Sequence, residues 1–186
     1  ACKAAGNPVR PFLFGSTSKI TFPGAGLAMM AGSTRNMAWV RDHLFFQTIG
    51  PDKLNQLRHV RFFSDLASIH AHMEKHAAIV RPRFQAVQEI LTDELAGKGI
   101  ASWTRPEGGY FVSFDAPEGC ARAIVKMAAE AGVKLTPAGS TYPLKKDPRD
   151  NNIRIAPTFA SVENVRTAVA VLAICTQIVA IDQLPV

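Results

Sequence analysis

Near the start of the chain, Gly15-Ser16-Thr17-Ser18-Lys19 sets two serine hydroxyls within three residues of an amine. It follows an apolar run, Pro11 to Phe14, that reads as a fully buried strand. In open α/β sheets, ligands bind just beyond the carboxyl ends of strands. Hydroxyls placed there can donate to the oxygens of a phosphate ester. The amine of Lys19, once burial or neighbouring positive charge lowers its pKa, can form a Schiff base with an aldehyde. Taken alone, the same tetrapeptide also describes an ordinary polar surface loop.

Two further segments pair chemistry with a constrained backbone. Pro106-Glu107-Gly108-Gly109-Tyr110-Phe111 puts two glycines before aromatic residues, which lets backbone approach a ligand closely and equally suits a hairpin turn. Asn151-Asn152-Ile153-Arg154-Ile155-Ala156-Pro157 sets a lone arginine in an apolar strand. A buried guanidinium needs a partner, either a structural carboxylate or the carboxylate of a substrate held bidentately. His72 and His76, at i and i+4 with His70 nearby, lack the His-Glu-x-x-His pattern of zinc proteases and read as a solvated helix face. Gly24-Ala25-Gly26 lacks the third glycine of a dinucleotide fingerprint. Cys120 and Cys175 read as small core residues, and Trp103 and Phe111 as core aromatics.

The elements that must position these residues follow from periodicity. Leu27 to Ala31 reads as a second strand, and Ser33 as the cap of a helix carrying Met37, Val40, Leu44 and Phe45. Ser64 to Leu95 reads mostly as helix, with Phe84, Val87, Leu91 and Leu95 on one stripe. Pro82 is expected to kink it or start a new helix. A domain boundary falls within this helix, dividing residues 1–75 from 76–186. Beyond Gly97 and Gly99 come strands at Ser102 to Trp103 and Tyr110 to Phe114, then a helix from Ala121 to Ala131. Short strands are expected at Val133 to Leu135 and Ile153 to Ile155. Ser161 caps a last helix with Glu163 in its first turn and a stripe of Val165, Val169, Leu172 and Val179. Strands mixed with a helical layer give an α/β or α+β fold.

Composition bounds the function. With 47% hydrophobic and 19% charged residues, the chain is an ordinary globular sequence. Its net charge of +6 is scattered, densest at Arg58, His59 and Arg61, without the aromatic interleaving of a nucleic-acid binder. Three widely spaced cysteines argue against a disulfide framework and for a cytoplasmic setting. No run reads as long and apolar enough to span a bilayer; Val165 to Ile181 comes nearest and reads as a packed helix. The abrupt opening at Ala1-Cys2-Lys3 is read as following further sequence upstream.

Together the segments resemble one family. Phe14-Gly15-Ser16-Thr17-Ser18-Lys19 followed by Pro23-Gly24 resembles the cofactor-lysine segment of fold-type-I pyridoxal-phosphate (PLP) aminotransferases. The Pro-Glu-Gly-Gly-Tyr-Phe run, Gly132-Val133 through Pro137-Ala138-Gly139-Ser140, and Asn152-Ile153-Arg154 follow in that family's order. The wording of Ser-Thr-Ser-Lys-Ile-Thr, Gly-Ala-Gly and Ile-Arg-Ile-Ala-Pro-Thr-Phe is most similar to an atypical bacterial group of aspartate aminotransferases. The resemblance covers this whole chain but only the C-terminal half of a family member.

The resemblance implies an α/β fold: the C-terminal part of the PLP-binding large domain (1–75), a long inter-domain helix, and a small α+β domain (76–186). It implies that Lys19 carries the cofactor and shuttles a proton. Ser16 and Ser18 then serve the cofactor phosphate, Arg154 the substrate α-carboxylate, and Tyr110 with the Gly139-Ser140 loop the substrate pocket. It implies amino transfer between an amino acid, aspartate or similar, and a 2-oxo acid, in a homodimer without nucleic acid or membrane. Two departures stand out. Where most of the family carries a phosphate-binding arginine, this chain has Gly26: either another cation substitutes, with Arg35 a candidate, or phosphate affinity is lower. The aspartate that pairs with the pyridine nitrogen and the ring-stacking residue belong to the other half, so this chain alone is expected to be inactive. Alternatives on the same scaffold are a ligand-sensing domain of a transcription regulator and another PLP reaction such as decarboxylation or β-elimination.

Overall fold

The computed structural model describes residues 1–183 and divides into two compact units, Ala1–Ala77 and Ala78–Val186. In the first, β1 (Leu13–Ser16) pairs antiparallel with β2 (Ala28–Ala31), from Leu13 opposite Ala31 to Ser16 opposite Ala28. Leu13 and Phe14, expected in a fully buried strand, are 68% and 77% exposed. A two-stranded ribbon has no second layer of its own to bury them. Ser33 caps α1 (Thr34–Gln47), accepting from the Asn36 N–H. Asp52 caps α2 (Lys53–Phe62), accepting from the Asn55 N–H. This second helix is absent from the sequence-based expectation.

The long helix α3 (Leu66–Leu95) runs from the first unit into the second. Pro82 lies inside it without starting a new helix, contrary to one of the two expected outcomes. The missing N–H orphans only the carbonyl four residues back, at Ala78, and Ala78 is exposed, so water can serve it.

The second unit holds the core. Strands β3 (Ser102–Trp103), β4 (Val112–Asp115) and β5 (Asn152–Ile155) form an antiparallel sheet in that order. Val112, Phe114, Ile153 and Ile155 turn to one face. There they cluster with Val87, Leu91 and Leu95 of α3, Ile124 and Ala128 of α4 (Ala121–Glu130), and Val165, Val169, Leu172 and Val179 of α5 (Val162–Asp182). Cys120 and Cys175 join this core, where burial pushes both thiols above their ordinary pKa, helped at Cys120 by the charge of Asp150.

The strand expected at Val133 to Leu135 does not form. Gly132 takes φ +87°, and the Val133 N–H bonds back to the carbonyl of Ala128, closing α4. That donor is thereby spent on a helix end. By length and composition α5 does qualify to cross a membrane, where no such run was expected. Its buried stripe, capped by Ser161, nonetheless packs into the core.

Candidate functional site

The Lys19 loop joins β1 to β2. Ser16, Ser18 and Lys19 are all exposed. The Ser16 and Ser18 hydroxyls lie 2.8 Å apart, and Ser16 Oγ also accepts from the Ser18 N–H at 3.2 Å. The N–H groups of Ile20 and Thr21 both bond to the Thr17 carbonyl at 2.8 Å, so Lys19 sits in a single tight turn. Leu27 closes the loop: its carbonyl accepts from the Thr17 N–H, and its N–H donates to Thr17 Oγ1 at 2.7 Å.

The glycine at position 26 has a steric cause. A Cβ there would meet Ser18 Oγ at 2.5 Å, Cα at 2.7 Å and N at 2.8 Å. No side chain fits without moving the Ser18 backbone, so an arginine is excluded by the same close approach that packs the loop. Arg35 is exposed in the first turn of α1. Another cation, Arg58 of α2, lines a groove with Gly24–Ala28, Asp52 and Asn55.

Helix α2 clamps this loop from behind. Asn55 Nδ2 donates to the carbonyls of Ala25 and Gly26 at 2.8 and 3.3 Å. His59, 7% exposed, places Nε2 2.9 Å from the hydroxyl of the buried Thr21. The Phe22 ring packs edge-on against His59, Phe62 and His72. His72 is therefore partly buried among aromatic rings and is not part of a solvated face, as its spacing had suggested. Asn55 and His59 escaped the sequence reading because α2 carries its polar residues inward. Leu54, Leu57 and Val60 are exposed, and Asn55 and His59 are buried.

The second group of candidate residues lies in the other unit. Arg154 on β5 stands opposite Ser113 of β4, on the face of the sheet turned away from the core. Its guanidinium lies 4.5 Å from the centroid of the Phe111 ring, a cation–π arrangement. Phe111 is 45% exposed and is thus not the core aromatic expected of it. Arg154 makes no ion pair with a carboxylate among the described residues, and its buried Nε has no hydrogen-bond partner among them. Tyr110, beside Phe111, is partly buried.

The loop leading into β5 is fixed by Asp147. Its carboxylate accepts from the N–H groups of Arg149, Asn151 and Asn152 at 2.9–3.0 Å. Burial alone would raise its pKa. The three N–H groups and the Arg149 charge outweigh burial and hold it below the ordinary carboxylate value. Asn152 then donates to Ser113 and Asp115 and accepts from Thr141, tying the turn after Gly139-Ser140 to both strands. The structure thus brings Ser16, Ser18 and Lys19 together on one loop and seats Tyr110 and Arg154 in the other unit.

An α/β chain with a lysine-bearing serine loop and an unpaired arginine on a strand defines a recognisable class, and comparison with known proteins supplies its family. The family model for aspartate amino-transferase matches residues 1–185, so the chain belongs to that family. It is 51% identical over 97% of its length to a Mycolicibacterium smegmatis protein named provisionally as an aminotransferase. It is similar to the crystal structure of an aspartate transaminase from Corynebacterium glutamicum, at 46% identity over 97% of this chain and a TM-score of 0.91. It spans 42% of each of those two proteins. It is also 25% identical, over 83% of its length and 31% of the relative, to the uncharacterized HTH-type transcriptional regulator YdfD of Bacillus subtilis.

Proposed function

We propose that the protein carrying this chain transfers an amino group between an amino acid, aspartate or a related acidic one, and a 2-oxo acid, using PLP. The observation that carries this reading is the Lys19 loop, where an exposed lysine follows a pair of touching hydroxyls and is clamped from behind by α2. These residues suit the cofactor. Ser16 and Ser18 present hydroxyl donors to a phosphate, and the glycine at 26 leaves room for backbone to pack close. Lys19 holds the cofactor and moves a proton at the substrate Cα. When bound, PLP supplies an electron sink for the charge that develops at that carbon.

Arg154 binds the substrate α-carboxylate, donating two N–H groups to it in bidentate fashion. Its lack of a protein carboxylate and its unpaired Nε support that role. Tyr110 and the Gly139-Ser140 loop line the pocket. Residues 1–75 form the C-terminal part of the cofactor-binding domain, and 76–186 the inter-domain helix and small domain. The working protein is a cytoplasmic homodimer, and the 186 residues alone are inactive.

The experiment is amino transfer by the full gene product and its variants. Lys19→Ala abolishes turnover. Arg154→Lys raises KM for amino acid and 2-oxo acid together, by about ten- to a hundredfold, the worth of a charge-assisted bidentate contact. Turnover surviving in Lys19→Ala would contradict the reading. The similarity to YdfD supports a second reading, a ligand-sensing domain of a regulator. Specific DNA binding by the full gene product, without turnover, selects it.

A further inference from the structure

The buried histidine of α2 has no role in the chemistry proposed above, yet it ends a chain of hydrogen bonds that brackets Lys19. Its Nδ1 lies 2.9 Å from the carbonyl of Asn55, an obligate acceptor, so Nδ1 carries a proton and donates. Its Nε2 faces Thr21 Oγ1 at 2.9 Å. Thr21 Oγ1 lies 3.1 Å from Thr17 Oγ1, which already accepts from the Leu27 N–H. One ordering uses each proton once. In it Leu27 donates to Thr17 and the Thr17 hydroxyl to the Thr21 hydroxyl. The Thr21 hydroxyl, which also lies 3.2 Å from the Thr17 carbonyl, gives its proton to the shorter contact at Nε2 of a neutral imidazole, 2.9 Å away.

We propose that His59 is a positioning residue: as terminal acceptor of this chain, it fixes Thr17 and Thr21 on either side of Lys19 and so sets where the lysine amine stands. The inference rests on the reading of Lys19 as the cofactor lysine. Several features make His59 more than filler. Thr17 and Thr21 are two residues before and two after Lys19, and the hydroxyl chain doubles the backbone turn between them. Thr21 and His59 are 3% and 7% exposed, so water does not compete for these bonds. The same helix holds the far side of the loop, through Asn55 and the carbonyls of Ala25 and Gly26. Removing the acceptor leaves the Thr21 hydroxyl only its longer contacts inside the turn, 3.2 Å to the Thr17 carbonyl and 3.1 Å to Thr17 Oγ1, and the turn then shifts as that proton is redirected. Small displacements at a reacting group cost rate out of proportion to their size.

The test uses the full gene product. His59→Phe keeps the ring but removes the acceptor, His59→Gln restores one, and Thr21→Val deletes the donor at constant shape. Expected for His59→Phe are a fall in kcat of roughly ten- to a hundredfold with KM little changed, and an altered circular dichroism of the lysine-linked cofactor band. Without cofactor, amide exchange quickens in residues 17–27 while the rest of the protein is unmoved. His59→Gln recovers most of the wild-type signal. Thr21→Val reproduces His59→Phe, and the double variant is no worse than either, as coupled residues require. If the wild type binds cofactor at Lys19 but His59→Phe leaves kcat, dichroism and exchange unchanged, the positioning role is overturned. So it is if His59→Gln is as impaired as His59→Phe, or if the two losses simply add. A wild type that shows no lysine-linked band overturns instead the reading of Lys19 itself.

Discussion

The two units are held together by different physics. Among the described residues, the hydrophobic core cluster runs from Ala86 to Val179 and lies wholly in the second unit. The first buries one hydrophobic side chain, Phe63, beside the polar Thr21, Asn55 and His59, and leaves Phe14, Phe46 and Ile49 at 77%, 88% and 92% exposure. The second unit is specified by non-directional burial, which tolerates much and stabilises strongly. The first is specified by directional bonds around one loop, which stabilise little but fix geometry. The role proposed for Lys19, an amine held in place, suits directional bonds, and the role proposed for Arg154, a guanidinium held rigid on a strand, suits burial.

The largest effect that could break this contrast is a core truncation. In the 186-residue chain, Phe114→Ala should cost about 3–5 kcal/mol, because it opens a cavity in a fully buried position. Phe14→Ala should stay within about 0.5 kcal/mol. Denaturant melts of both variants decide; equal losses would erase the distinction.

Acid probes the polar side of the second unit. The Asp147 carboxyl is depressed in the fold, so its contribution is present above the unfolded carboxylate pKa. That contribution is lost as pH falls through the folded value. Asp147→Asn should cost roughly 1–3 kcal/mol near neutral pH, and should flatten this part of the acid dependence of the melting temperature. A variant that keeps the wild-type acid profile would show that other groups set it.

Thiol labelling gives a smaller, sharper reading. Cys120 and Cys175, buried with raised pKa, should stay unlabelled in the native protein while Cys2 reacts, as followed by peptide mass. The smallest effect is at the caps: Ser161→Ala should cost about 1 kcal/mol of global stability. Ser33→Ala, on a helix with no buried residue, should cost measurably less.

The second unit was the more legible in sequence for the same reason. Hydrophobic periodicity reports burial, so the stripes Val87-Leu91-Leu95 and Val165-Val169-Leu172 read directly as core. Where apolar residues face outward the signal fails. It missed α2 altogether, and it took the apolar run at Pro11 to Phe14 for a buried strand. Ser16, Ser18, Lys19, Tyr110 and Arg154 stood out by type and spacing. The clamp of Asn55, His59 and Thr21 did not, because its bonds reach 29 to 38 residues along the chain and no local pattern encodes them. Gly26 was legible as a departure, but its cause, the backbone of Ser18 in its path, exists only in three dimensions.

The central claim is that Lys19 carries the cofactor. Full gene product mixed with PLP, reduced with borohydride and mapped by peptide mass should carry the adduct on Lys19, and Lys19→Ala should abolish it. Protein that stays unlabelled at Lys19, under conditions that label a known aminotransferase, would contradict the account.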